Sequence, residues 1–434
     1  MSVGRGAILA LAAVLPALNQ THPVKVLFEF HDNPSAPYSL AELAPGQFVG
    51  ATDNFTSAGN VVFQIDIEGH YKTIATLAGT NAIPYVAPME NGKLFGMWFD
   101  GGNRPRYFHL PRAGGAIQEL TEAAGIGVAS QWPFGAWERD GVYEPFPSFI
   151  GRIGMPGKVE PIFTFTAQDG VPNPFSSFAM TPDGTFYGEN RLGSGAYLVY
   201  RVTRAGRLTR LAELLNTGGP WAPLVVLDDG TVYGAEAAGG SDHKGSIYKI
   251  DPSGQFSVVA EFPSKGMSNP STLFVAADGN LYGSTNTMPS YIFVLETKTG
   301  KLAQVASSTG WEFHCTCQMI QGSDGKIYGT SRSGGVSGGG TIFSIDAGIA
   351  PPRPRVTQLA PQAGKVGAEV ELRGSYLLGT TGVRFAGMPV PSSDISVPTA
   401  NVVRVHVPPG AQSGAVQLTT VNGTTVSLMA FTVE

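Results

Sequence analysis

The sequence predicts an all-β chain: a seven-bladed β-propeller followed by a β-sandwich. Three observations carry this. A short motif recurs seven times at near-constant spacing. The first credible strand of the chain completes the last of those units. Beyond a proline-rich connector, residues 355–434 turn to alternating apolar strands broken by Gly and Pro.

The motif is clearest in four copies: "TPDGTFYG" ending at Gly188, "LDDGTVYG" at Gly234, "AADGNLYG" at Gly283 and "GSDGKIYG" at Gly329. Weaker copies end at Gly50, Gly96 and Gly135, with steps of 46, 39, 53, 46, 49 and 46 residues along the series. Such a period suits four-stranded blades. Each unit reads alike. An apolar run such as "STLFVAA" is the first strand. Asp-Gly is the hairpin, because Gly reaches positive φ at little cost and Asp tolerates it. "NLYG" is the second strand, a Gly-rich loop follows, "SIYKI" or "TIFSI" is the third, and "FSVVAEF" is the fourth.

The unit ending at Asp346 lacks a fourth strand, and "VKVLFEF" supplies one. Residues 24–30 are therefore expected to pair with Thr341–Ile345 and close the ring, which removes an open sheet edge. The alternative is an independent edge strand. The expected boundaries are a signal peptide over 1–21, the propeller over 22–347, a stiff Pro-rich linker over 348–354 and the sandwich over 355–434. The signal rests on Arg5 followed by an apolar run, Ala7–Leu15, too short to span a bilayer. A short buried helix or strand is the alternative there.

Composition excludes some classes. Charged residues are 14 %, net charge is −5 and no Lys/Arg run occurs, so a nucleic-acid partner is not expected. Nor is a transmembrane segment. Cys315 and Cys317 are the only cysteines, too few for a disulfide framework; they form a local bridge or stay reduced.

The units "DGTVYGAEAAGGSDHKGSIYKIDPSGQFSVVAEF" and "DGKIYGTSRSGGVSGGGTIFSID" resemble the GloVer tandem repeat of secreted or surface-anchored bacterial proteins. The resemblance implies a propeller and a secreted, periplasmic or cell-surface location, and implies little about chemistry. In the C-terminal segment, "GAEVELRGSYL", "VRFAG", "VRVHVPPG" and "SGAVQLTTVNG" resemble an IPT/TIG domain. That resemblance implies an immunoglobulin-like β-sandwich acting as a spacer or adhesion module.

Residues that recur in every unit are explained by the fold. Asp183, Asp229, Asp278 and Asp324 sit at turns; Tyr187, Tyr233, Tyr282 and Tyr328 are expected to pack between blades. What does not repeat is more informative. In a four-stranded blade, the loops between second and third strands share one face with the connections from fourth to first strands. Trp98, Trp132, Trp137, Trp221 and Trp311 all fall on that long-loop face or its border, with Arg104 and Arg139 nearby. Exposed aromatic planes on loops of a rigid scaffold suit stacking on sugars or clamping peptides. The plainer reading is that each Trp plugs its own loop.

The expected function is a binding protein whose long-loop face takes a carbohydrate or an extracellular protein, with no cofactor and no metal. A metal at His314, Cys315 and Cys317 is disfavoured, because no fourth ligand is evident. Two alternatives stand beside it. One is a polysaccharide lyase, which needs a cation on a uronate carboxylate and a His or Tyr as base and acid; His243, His314, Tyr143 and Arg332 are of the right types. The other is a structural adhesion module.

Overall fold

The computed structural model describes residues 21–31, 36–53, 60–77, 85–89, 91–99, 105–120, 136–138, 141–154, 157–172, 178–181, 183–215, 222–263, 265–308 and 311–434; for residues 99, 136–138 and 315–317 it describes the backbone alone. The segment read as a signal lies outside these residues, except for residue 21.

Among the described residues the strands form nine sheets, seven before residue 346 and two after. Sheet one is Pro37–Ala44, Gln47–Thr52, Asn60–Asp66 and Tyr71–Leu77. Sheet two is Tyr85–Pro88, Lys93–Phe99, Pro105–Pro111 and Gln118–Glu119. Sheet three is Ala136–Glu138, Gly141–Pro145, Phe149–Gly154 and Val159–Thr164. In sheet four, Val171–Pro172 and Ala179–Met180 both pair with Phe186–Arg191, followed by Tyr197–Val202 and Leu208–Leu214. Sheet five is Val225–Val226, Val232–Glu236, Ser246–Ile250 and Phe256–Glu261. Sheet six is Pro270–Val275, Leu281–Thr285, Tyr291–Leu295 and Leu302–Ser307. Sheet seven is His314–Gln321, Ile327–Ser333 and Thr341–Ile345, with Val24–Glu29 paired antiparallel to the last of these.

Among the described residues, seven apolar clusters each fuse two neighbouring sheets. Tyr187 and Val199 of sheet four meet Val232 and Ile250 of sheet five. Tyr282 and Ile292 of sheet six meet Ile327 and Phe343 of sheet seven. The cluster of Tyr328, Ile342, Phe48 and Phe63 joins sheet seven back to sheet one, so the array is a closed ring. First strands of successive sheets pack on one another and fourth strands stand at the rim, a propeller-like arrangement.

The recurrent letters have local jobs. Asp278 accepts the backbone N–H of Asn280 at 3.0 Å and, through its other oxygen, the phenol of Tyr282 at 3.0 Å. Asp324 does the same for Lys326 and Tyr328. The glycine after the aromatic faces a ring on the third strand. A Cβ on Gly234 would stand 2.2 Å from the Tyr248 hydroxyl, and one on Gly50 2.4 Å from Phe63. Only a residue without a side chain leaves room for that ring.

Sheet three inverts the rule. Glu144 takes the glycine's place and Gly151, paired with it, takes the ring's; Phe146 and Phe149 fill the space beside Gly151. The sequence reading of this unit also needs correction. Ala136–Glu138 is the first strand, so Trp137 belongs to a strand and not to a long loop. Glu138 pairs across from Gly141, and "DGVYE" has one residue fewer between its Asp-Gly and its tyrosine than the other copies, which disguises it in the sequence.

The two C-terminal sheets, 355–360/369–375/402–406/395–399 and 363–364/423–433/414–420/380–385/388–389, share one core. Val370, Leu372, Val403 and Val405 of the first interleave with Val383, Phe385, Leu418 and Phe431 of the second. This unit is seated on the hairpin-turn end of the ring. Asn422 donates to the Ser323 carbonyl at 2.6 Å, Arg355 pairs with Asp228, and Arg112 donates to the Pro398 carbonyl. Ser323, Asp228 and Arg112 belong to turns of sheets seven, five and two.

Candidate functional site

The ring has two ends. The hairpin-turn end carries the C-terminal unit. The long-loop end receives the loops between second and third strands and the connections into first strands.

Of the seven residues put forward for ligand binding, Trp311 alone has a described exposed side chain, at 45 % exposure. Its carbonyl accepts from Gly335 N–H, which ties it to the loop 334–340 of sheet seven. Trp98 is corrected. It is 3 % exposed, packs 5.3 Å from the Phe108 ring, and belongs to the core between sheets one and two, so it offers no stacking face. Trp132, Trp221, Arg104 and Arg139 lie outside the described residues, as does the side chain of Trp137.

The four residues proposed for a lyase are not brought together. Tyr143 is buried between sheets three and four, with the Arg204 guanidinium 5.6 Å from its ring. Arg204 sits in a hairpin turn, so Tyr143 lies toward the opposite end from the long loops. His243 is exposed, at a backbone φ of 53°. Its turn leans on the rim, where Ser241 donates to Glu261 at 2.7 Å. His314 and Arg332 are on adjacent strands of sheet seven, but His314 pairs across Ser333, which alternates with Arg332. The two side chains therefore leave opposite faces. His314 Nδ1 meets Ser290 of sheet six at 3.2 Å, and Arg332 pairs with Asp53 of sheet one at 2.7 Å. The side chains of Cys315 and Cys317 lie outside the described residues.

Arg332–Asp53 is one rung of a polar seam that closes sheet seven onto sheet one. Leu40 N–H donates to Gln318 at 2.8 Å, Thr330 to the Tyr38 carbonyl at 3.2 Å, and the Ser323 hydroxyl to Glu42 at 2.7 Å. Asp53 is fully buried, and its Oδ1 meets no hydrogen-bond donor among the described residues. Burial pushes its carboxyl up to about 6, against the opposing pull of Arg332. Glu144 is more extreme. Burial alone drives it up to about 8, and its charge adds to the burial that raises Tyr107, whose hydroxyl also lacks a described partner. In the sequence Asp53 carries no signal, and Glu144 shows only as one of several charged residues of "WERDGVYE". Asp53 follows one of the weak motif copies, and Glu144 sits in the disguised one.

Residues 150–343 match the Gloeobacter/Verrucomicrobia repeat. No curated relative matches the chain. Among solved structures, a streptogramin B lyase is 14 % identical, with 74 % of this chain and 96 % of that one covered at a TM-score of 0.53. A catalytically inactive virginiamycin B lyase from Staphylococcus aureus with quinupristin is 14 % identical, with 74 % and 98 % covered at a TM-score of 0.54. A puromycin hydrolase is 13 % identical, with 83 % and 62 % covered at a TM-score of 0.51. Identities this low speak to fold alone. The chain is thus similar to propeller-like proteins in its ring of sheets, with the Gloeobacter/Verrucomicrobia repeat over residues 150–343.

Proposed function

We propose that this chain is a secreted or cell-surface binding protein. In this reading the ring is a seven-bladed β-propeller, the C-terminal unit is an IPT/TIG-like sandwich, and the long-loop end takes a carbohydrate or an extracellular protein. The carrying observation is the seat of the C-terminal unit on the hairpin turns through Asn422, Arg355 and Arg112. A ligand approaching the ring axis then meets the long-loop end, where Trp311 is exposed. A half-exposed indole anchored by its own backbone suits a stacking or clamping contact.

The lyase reading has no observation in its favour, since His314 and Arg332 leave opposite faces of one sheet. The reactions named for the structural neighbours do not transfer, because one fold hosts many chemistries. The test is a glycan array and a panel of extracellular proteins, followed by titration of any hit against Trp311→Ala and Asn422→Ala. Trp311→Ala is expected to weaken binding by about tenfold or more while Asn422→Ala leaves it unchanged. Equal binding by Trp311→Ala and the native chain would overturn the reading.

A further inference from the structure

The stretch "RVTRAGRLTR" places four arginines in ten residues of a chain that is acidic overall. They form the third strand, the turn and the fourth strand of sheet four. Arg210 is paired, with Glu213 at 2.8 Å and Asp169 at 3.9 Å. Arg204 lies over Tyr143; burial and then the like charge of Arg373 in the C-terminal unit lower its pKa. Arg201 and Arg207 differ. Neither has an ion-pair partner among the described residues, and both line a cleft of about 360 Å³.

The cleft follows from strand alternation. Arg201 stands directly across from Tyr187 on one side and Thr209 on the other. Arg207 precedes Thr209 by two residues, so it emerges on the same face, diagonal to Arg201. That diagonal sets the two residues about 7–8 Å apart, within reach of two long side chains closing on one group. Thr185, Thr203 and Thr209 add hydroxyls to the same wall. Asp183 also borders the cleft, but its Oδ1 accepts from the Thr181 hydroxyl at 2.5 Å and the Thr185 N–H at 3.0 Å, and its Oδ2 accepts from the Thr185 hydroxyl at 3.3 Å. Tyr187 closes the inner side, where the core shared with sheet five begins.

We propose that this cleft is an anion-binding site, taking a sulfate, phosphate or carboxylate group between Arg201 and Arg207. Two guanidinium groups on one concave face repel each other until an oxyanion bridges them, and planar N–H forks match such groups in bidentate fashion. The Thr203 and Thr209 hydroxyls supply the remaining donors, the Thr185 hydroxyl being spent on Asp183. The cleft lies toward the hairpin-turn end of sheet four, so it stands apart from the long-loop face and does not depend on the binding function proposed there.

Calorimetric titration at constant ionic strength tests it, with inorganic sulfate, inorganic phosphate, a sulfated oligosaccharide and its desulfated form as probes. The native chain is expected to bind at least one of the anionic probes and not the desulfated saccharide. Arg201→Gln with Arg207→Gln is expected to weaken that binding by about tenfold or more, while Arg210→Gln leaves it unchanged. Binding of the free ions and the saccharide alike assigns the site to the oxyanion itself; binding of the saccharide alone assigns it to an acidic glycan. Circular dichroism of the double variant establishes that it is folded, and Arg201→Lys, which keeps charge and loses the fork, is expected to fall between. No heat with any anion, or undiminished binding by the folded double variant, would overturn the proposal.

Discussion

Replacing Glu144 by Gln should stabilise the protein at neutral pH and leave it unchanged in acid. The side chain occupies the place that glycine holds in the other sheets, 2 % exposed, and burial drives its carboxyl up to about 8. The sign follows from linkage. A carboxyl raised in the folded state holds its proton more tightly there than in the unfolded chain. Its contribution to stability is fully present below the ordinary value of 4.5 and is lost as pH climbs toward 8. At about 1.4 kcal/mol per pH unit, the loss reaches about 3 kcal/mol by pH 7. Gln keeps the shape and has no charge to bury, so the variant escapes this loss. The assay is urea denaturation of native chain and variant side by side from pH 4.5 to 8.5. Comparing the two cancels the other groups that titrate in the window, including Asp53, which shifts in the same direction. A stability gap that stays constant across that range would refute the reasoning, because a gap without pH dependence cannot come from a buried ionisation.

Three further outcomes are expected. Tyr107→Phe removes a buried hydroxyl that has no described partner, and should raise stability by about 1 kcal/mol in the same denaturation assay. Arg332→Ala leaves the Asp53 carboxylate buried and alone; it should cost about 3–5 kcal/mol at pH 7 and less at pH 5, where Asp53 takes up a proton. Gly234→Ala forces a methyl to within 2.3 Å of the Tyr248 ring carbon and should cost about 1–3 kcal/mol, seen as a lowered thermal midpoint.

The repeat is readable in the sequence because each of its letters serves a neighbour a few residues away. Asp278 caps a turn two residues on and holds a tyrosine four residues on, so the motif is local chemistry. The same locality explains where the reading goes astray. In sheet three the segment between Asp-Gly and the tyrosine is one residue shorter in the sequence, and the glycine stands on the third strand opposite Glu144, so neither spacing nor "YG" marks it. Trp98 is misread for a different reason. Its position in the chain puts it near a long loop, but the pleat turns its ring inward onto Phe108, and a loop border does not reveal which way the pleat runs. Asp53 is beyond sequence reasoning altogether. Its ion pair is with a residue 279 positions away, and its burial is decided by a sheet from the other end of the domain.

The seam between sheets seven and one carries more than an apolar contact for a physical reason. The other sheets are joined by the continuing chain, whereas this junction is made by the two ends of the ring, with Val24–Glu29 arriving from the N-terminus. Apolar packing there is present but non-directional, so alone it leaves the register of sheet seven against sheet one loosely specified. The polar rungs at Glu42, Gln318, Thr330 and Arg332 are directional and sit at different heights along the seam. Sliding one sheet by a residue breaks them together and strands the Asp53 carboxylate in the interior. Arg332, which looks from the sequence like a cation free to meet a substrate, is thereby committed to closing the ring. Cations available to a ligand are then better sought at positions where the fold has made no such demand, as at Arg201 and Arg207.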